Sequence, residues 1–159
     1  MADREQSEPS LTPVQRRRLA MDLFNHVWTL LGTADRSPEQ DDEMIHAAHA
    51  SRYHWGEIGT AANLGRGEWQ VSRVYAALGR GEPAVYHANR CLAYIETGGG
   101  VEEWDIPFAY EALARAHAVV GDAAESRRFE DLARESGAAM VDPESAEMLL
   151  ADLATLPGR

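Results

Sequence analysis

A carboxylate and two histidines in the first third of the chain have the types and spacing to do chemistry. Asp42, His46 and His49 lie at positions i, i+4 and i+7, so on an α-helix their side chains fall within about 60° of one another. Carboxylate and imidazole groups are ligands for zinc, iron and manganese. The spacing therefore allows one divalent metal ion on this face, with a further ligand or water from another helix.

A structural role for the same face is the alternative. Two histidines separated by two residues on a helix are a weak metal signal, because polar faces carry histidines for ordinary hydrogen bonding. Under this interpretation the histidines and Tyr53 form a hydrated or interhelical hydrogen-bonding stripe. The sequence leaves both interpretations open.

Arginines and aromatic residues form a second candidate site on two later helices. Aromatic rings anchor binding partners, and the guanidinium fork suits carboxylates. The spacing predicts a groove for a protein or peptide, with an acidic or C-terminal segment as its partner. The alternative is that the two tryptophans only pack between neighbouring helices. The groove candidates are Arg66, Trp69 and Arg73 on one helix and Trp104, Phe108, Glu111 and Arg115 on the other.

Several catalytic chemistries are excluded by composition. The chain contains no lysine, which removes phosphate-loop lysines, Schiff bases and serine–lysine dyads. The only cysteine, Cys91, lies on an apolar helix face, so we expect a core residue. There is no GxSxG elbow, and the glycines at 98–100 lack the GxGxxG spacing of a nucleotide loop. No decisive catalytic motif remains.

Charge and hydropathy limit the partners and the compartment. A formal net charge of -11 and a pI of about 4.9 argue against nucleic acid, whose binding needs a concentrated basic face. No apolar run approaches the ~20 residues of a membrane span, and no charged-then-apolar leader opens the chain. We therefore expect a cytoplasmic protein that does not bind membranes.

Helix start and stop signals follow one another along the chain, and no segment has the alternation of a strand. They predict an all-α fold of six or seven helices in one domain, residues 13–159, after a disordered polar lead-in, residues 1–12. The third helix is predicted to end at Gly79 and Gly81, and the fourth to run from about Pro83 to Thr97. The other start signals are Pro13, Ser37-Pro38-Glu39-Gln40, Thr60, Asp105-Ile106-Pro107, Asp122 and Asp142-Pro143.

Two helix–glycine–helix units are superposed when Gly79 is placed over Gly121, 42 residues later. In the first unit an aromatic residue, Tyr75, precedes the glycine by four positions, and a small residue, Ala84, follows it by five. The second unit has His117 and Ser126 at these positions. This pattern resembles the tetratricopeptide repeat over roughly residues 63–136.

The resemblance implies a fold and a function. It implies antiparallel helical hairpins stacked as a short right-handed solenoid, with the first helix of each pair lining a concave, peptide-binding groove. The first two helices could form a third, diverged pair. We therefore expect a non-enzymatic protein- or peptide-binding module without a cofactor. The alternative is a small metal-dependent helical-bundle enzyme or metal binder that uses the Asp42, His46 and His49 face. Exposed aromatic residues could also serve a homo-oligomer.

Overall fold

A computed structural model describes residues 11–158, and within this range the chain forms seven α-helices and no strand. The all-α prediction is confirmed. All but two residues of the predicted disordered lead-in, 1–12, lie outside the described residues. The helices are α1 (Pro13–Leu31), α2 (Pro38–Ile58), α3 (Ala61–Ala77), α4 (Gly81–Glu96), α5 (Asp105–Val120), α6 (Ala123–Gly137) and α7 (Pro143–Ala154).

Side-chain caps explain where most of the helices begin. At α2 the Ser37 side chain accepts a hydrogen bond from the backbone of Gln40, whose own side chain accepts the Ser37 backbone N–H, as the sequence predicts. Equivalent reciprocal caps start α1 at Thr12 and α3 at Thr60. Single carboxylate caps start α6 and α7. These local bonds fix the boundaries independently of tertiary packing.

The junction between α3 and α4 differs from its prediction. Gly79 lies in the left-handed region at φ 70° and ends α3, but Gly81 is already the first residue of α4, two positions before Pro83. A Cβ on Gly81 would lie 2.8 Å from the backbone of Val120 in α5. Gly81 is therefore required for close approach between helices rather than for stopping α3.

Neighbouring helices in the chain pack against each other along their lengths, above all α1 with α2, α3 with α4, and α5 with α6. Alternate helices also touch, since α3 contacts both α1 and α5, and α5 contacts α7. The central helix is α5, which buries ten of its sixteen residues. One core cluster contains side chains from α3, α4, α5, α6 and α7. A second contains side chains from α1, α2 and the other side of α3.

The turns after α3 and α5 repeat the same geometry at an offset of 42 residues. Both glycines are left-handed, with φ 70° at Gly79 and 89° at Gly121. The backbone N–H of Arg80 donates to the Tyr75 carbonyl, and the N–H of Asp122 donates to that of His117. Each helix end is thus closed by the same bond between equivalent positions.

Side-chain contacts across the two units match as well. Tyr75 stacks on His87 with ring centroids 5.7 Å apart, and at the equivalent positions His117 stacks on Phe129 at 5.6 Å. A serine hydroxyl also bridges each helix pair. Ser72 donates to the Ala84 carbonyl, and in the second unit the direction is reversed, with Ser126 donating to the Ala114 carbonyl.

None of the helices in residues 11–158 combines the length and the apolar character needed to cross a membrane.

Candidate functional site

Aromatic rings from three helices form a continuous row on the side where the odd-numbered helices meet. Phe24 and Trp28 of α1 lie 6.2 Å apart, and Trp28 lies 5.2 Å from Trp69 of α3. Trp69 lies 5.8 Å from Phe108 of α5, which lies 6.4 Å from Trp104. The edge and tilted geometries are those in which aromatic pairs attract each other.

Two open pockets adjoin this row, and we call them together the aromatic groove. The first has a volume of about 220 Å³ and the second about 280 Å³. Phe24 and Arg66 line both pockets, so the two pockets are neighbours. The first is lined by Met21, Phe24, Asn25, Trp55, Asn63, Arg66 and Gly67. The second is lined by Phe24, Arg66, Trp69, Trp104, Phe108, Ser145 and Met148.

The predicted ring residues pack and line the groove at the same time. Trp69 and Trp104 are half-buried, whereas Phe108 is buried but still borders the second pocket. The indole N–H of Trp69 is buried and has no hydrogen-bond partner among the described residues. The two roles of the tryptophans are therefore not exclusive, because Trp69 and Trp104 both pack against the core and line the second pocket.

Arg66 is held inside the site by an internal carboxylate. Its Nε and one terminal nitrogen donate to the two oxygens of Asp105 at 2.9 and 2.7 Å. Its guanidinium also lies 4.3 Å from the centre of the Trp104 ring. Asp105 is almost fully buried, so this bidentate pair is shielded from solvent and its charges cancel locally.

Arg73 and Arg115 are likewise paired, through the fully buried Glu111. Arg73 donates to a Glu111 oxygen at 3.2 Å, and Arg115 donates to one at 2.8 Å. Arg73 also reaches Asp152 of α7 at 3.0 Å. Burial raises the pKa of Glu111, and the charges of Arg115 and Arg73 oppose that effect. These ion pairs connect α3, α5 and α7, so the network holds the three helices together.

The structure thus brings the seven groove candidates together, but they make two different sets of contacts. Arg66 and the three aromatic residues line the second pocket, whereas Arg73, Glu111 and Arg115 form the neighbouring ion network and line neither of the two pockets. The guanidinium groups expected to bind a partner's carboxylate are all engaged by carboxylates of this chain.

The proposed metal-binding face is exposed. Asp42, His46 and His49 lie on the solvent side of α2, and His49 Nε2 is 3.0 Å from the Tyr75 hydroxyl. Partial burial, followed by the nearby His87, lowers the pKa of His49. Residues 11–158 contain no group of three or more histidine, cysteine or acidic side chains arranged to hold a metal ion. The contact of His49 with Tyr75 is of the interhelical hydrogen-bonding kind given as the alternative.

A polar cluster between α2, α3 and α4 escaped the sequence analysis. The buried carboxylate of Glu68 accepts a hydrogen bond from Arg52 at 2.9 Å and lies 2.6 Å from His87 Nδ1. Arg52 also donates to the Tyr94 hydroxyl at 3.2 Å. Burial opposes ionisation of Glu68, but the His87 hydrogen bond and the Arg52 charge outweigh it and lower the pKa of Glu68.

The α1 and α7 residues of the groove were also missed as site residues. The sequence predicts no binding role for Phe24 of α1 or for Met148 of α7, and both line the second pocket. Met148 is 54% exposed, but Leu150 of the same helix is 52% exposed and lines neither pocket. Single exposed apolar side chains are common on protein surfaces, so no sequence signal distinguished Met148.

Comparisons with protein-family models, with curated proteins and with solved structures give no match for this chain. The class that fold and site define is therefore an all-α protein of seven helices, in the part of the chain described, with an open aromatic groove.

Proposed function

We propose that this chain is a non-enzymatic module of the cytoplasm that binds a protein or peptide segment in the aromatic groove. The observation that carries the proposal is the pair of neighbouring pockets lined by side chains from α1, α2, α3, α5 and α7. Residues from five helices can enclose a guest side chain only while the whole fold is intact. The proposal requires no cofactor.

A short right-handed stack of tetratricopeptide-like hairpins is the architecture that we propose for this module. Support comes from the matching turns at Gly79 and Gly121, from the stacked ring pairs at equivalent positions, and from contacts between alternate helices. In such a stack α1, α3, α5 and α7 line one side. The groove lies on that side.

The pocket sizes and linings suit side-chain anchors. Volumes of about 220 and 280 Å³ each accommodate one large apolar side chain, and half-buried aromatic rings are typical of the residues that contribute most to binding energy. One methionine borders each pocket: Met21, 46% exposed, lines the first, and Met148, 54% exposed, lines the second. Their flexible thioether side chains can adapt to guests of different shape.

Selection of peptides from a random library on the immobilised protein tests the proposal. Met148→Arg should weaken the selected peptides at least tenfold, because it places a charged side chain at the mouth of the apolar second pocket. Tyr53→Arg is the matched control, since Tyr53 is 63% exposed and lines neither pocket. Failure to select any peptide, or binding that Met148→Arg leaves unchanged, would overturn the proposal.

A further inference from the structure

We infer that the segment bound in the second pocket of the aromatic groove presents an apolar side chain flanked by basic residues. This inference rests on the proposed function and names the chemistry of the partner. It departs from the acidic or C-terminal segment expected from the sequence, and three observations on charge carry it.

The first observation is that the arginine of the pocket is already neutralised. Arg66 donates from Nε and one terminal nitrogen to Asp105, at 2.9 and 2.7 Å, and its guanidinium covers the Trp104 ring. A guest carboxylate that approached the remaining N–H groups of Arg66 would also meet the negative charge of Asp105. The remaining lining is aromatic or apolar apart from Ser145. The pocket therefore offers contact area and little net positive charge.

The second observation is that exposed carboxylates neighbour lining residues of this pocket along the chain. Glu102 precedes the lining residue Trp104 by two positions, and Glu144 directly precedes the lining residue Ser145. The two segments are adjacent in space, because the Glu103 carboxylate accepts the backbone N–H groups of Val141 and Asp142 at 3.0 and 2.9 Å. We call these two segments the acidic rim, and negative charge on them attracts lysine and arginine and repels a carboxylate.

The third observation separates a foreign partner from a second copy of the chain. Each copy carries a formal net charge of -11, so pairing two copies through an acidic rim brings like charges together. The other end of the groove differs, since Arg17 lies 5.3 Å from the Trp55 ring that borders the first pocket. The preference for basic flanks is therefore assigned to the second pocket alone.

Three synthetic peptides with one shared apolar core, flanked by arginine, glutamine or glutamate, test this inference by fluorescence anisotropy. The arginine-flanked peptide should bind at least tenfold more tightly than the glutamate-flanked one, and raising the salt should reduce the difference because screening weakens exposed charges. The variant Glu102→Gln with Glu144→Gln should reduce the advantage severalfold and leave binding of the glutamine-flanked peptide unchanged.

The outcomes distinguish the inference from the function on which it rests. Equal binding of all three peptides, or a preference for glutamate, overturns the basic flanks and leaves peptide binding in place. Binding of none of them, together with an empty library selection, overturns both. A dimer in sedimentation that Met148→Arg dissociates would show that a second copy fills the groove, which also overturns the inference.

Discussion

The guanidinium of Arg66 and the carboxylate of Asp105 form a two-point pair that connects α3 to the first residue of α5. The side chain of Asp105 is 2% exposed and that of Arg66 is 25% exposed, so the carboxylate is inside and the guanidinium reaches the pocket. Asp105 also accepts the backbone N–H of Glu102. The two carboxylate oxygens of Asp105 thus hold Arg66, the start of α5 and the backbone of the acidic loop that precedes α5.

Removing the charge of Asp105 should change which peptides bind. Asp105→Asn leaves the Arg66 charge unbalanced beside the second pocket. In anisotropy titrations the affinity of the glutamate-flanked peptide should therefore rise relative to that of the arginine-flanked peptide. The free energy of unfolding should fall by about 1–3 kcal/mol, since hydrogen bonds to a charged group are weakened. Asp152→Asn is the control, because Asp152 pairs with Arg73 and lines neither pocket. An equal rise in affinity for the glutamate-flanked peptide in Asp105→Asn and Asp152→Asn would show that the effect does not depend on the pair of Arg66 with Asp105.

The buried ion network should contribute far more to stability than a surface pair of the same spacing. Glu111→Ala leaves Arg73 and Arg115 without their shared carboxylate, at an expected cost of about 3–5 kcal/mol in urea unfolding. Glu111 and Arg115 are spaced i, i+4, as are Arg18 and Asp22, whose side chains are 84% and 68% exposed. Asp22→Ala should therefore change the midpoint little. Comparable losses of unfolding free energy in Glu111→Ala and Asp22→Ala would contradict the larger contribution of the buried network to stability.

A methyl group at the start of α4 should destabilise the fold. Gly81→Ala places a Cβ 2.8 Å from the Val120 backbone, which cannot move aside as a side chain can, and we expect a loss of about 1–3 kcal/mol by overpacking. In Gly56→Ala the new Cβ meets only one terminal nitrogen of Arg52, at 3.2 Å, a contact that a shift of a few tenths of an ångström relieves. Replacing that helical glycine should stabilise the protein by about 0.4–1 kcal/mol. Thermal melts of the two variants should shift in opposite directions.

Acid should remove the stabilisation contributed by Glu68. Its pKa is lowered in the folded protein from an ordinary value of 4.5, so the unfolded state takes up the proton first as the pH falls. The stabilisation is therefore complete above pH 4.5 and is lost as the pH falls toward the folded value. The difference in unfolding free energy between the wild type and Glu68→Gln should narrow over that range. A difference that stays constant would contradict the ionised state of Glu68.

His49 contributes a second pH dependence, which begins above the range in which Glu68 titrates. The pKa of His49 is also lowered, from 6.5, so both proteins should lose stability as the pH falls below 6.5, and the loss should be larger in Glu68→Gln because the Glu68 charge opposes that lowering. The second unit offers a control for the Glu68 titration, because Tyr110 and Phe129 stack at the positions equivalent to Glu68 and His87. Glu68→Tyr combined with His87→Phe should therefore fold and lack the Glu68 titration.

Helix boundaries were predictable because their causes are local. The reciprocal bond between Ser37 and Gln40 spans three residues, and the left-handed Gly121 ends its helix wherever the chain then goes. The start of α4 was not predictable in the same way. Gly81 serves a contact with Val120, 39 residues later, which no local pattern reveals.

The groove was predictable only in part, for the same reason. Helical spacing grouped Trp69 with Arg66 on α3 and Phe108 with Trp104, and all four residues line the second pocket. It could not show that Phe24 of α1 borders the groove, because a ring at the edge of an apolar stripe can face either the core or a pocket. Nor could it show that Arg66 is already paired with Asp105, since a sequence gives the charges and not their partners.

In the stacked architecture that we propose, the 42-residue offset between the matching turns makes the length of the proposed binding surface depend on the number of copies. A chain carrying a duplicate of residues 79–120 would repeat the left-handed glycine, the helix-closing bond and the stacked ring pair in register. Each added copy would extend the odd-numbered side by one helix diameter, about 8–10 Å between axes. Such chains would accommodate longer guests without altering the two existing pockets.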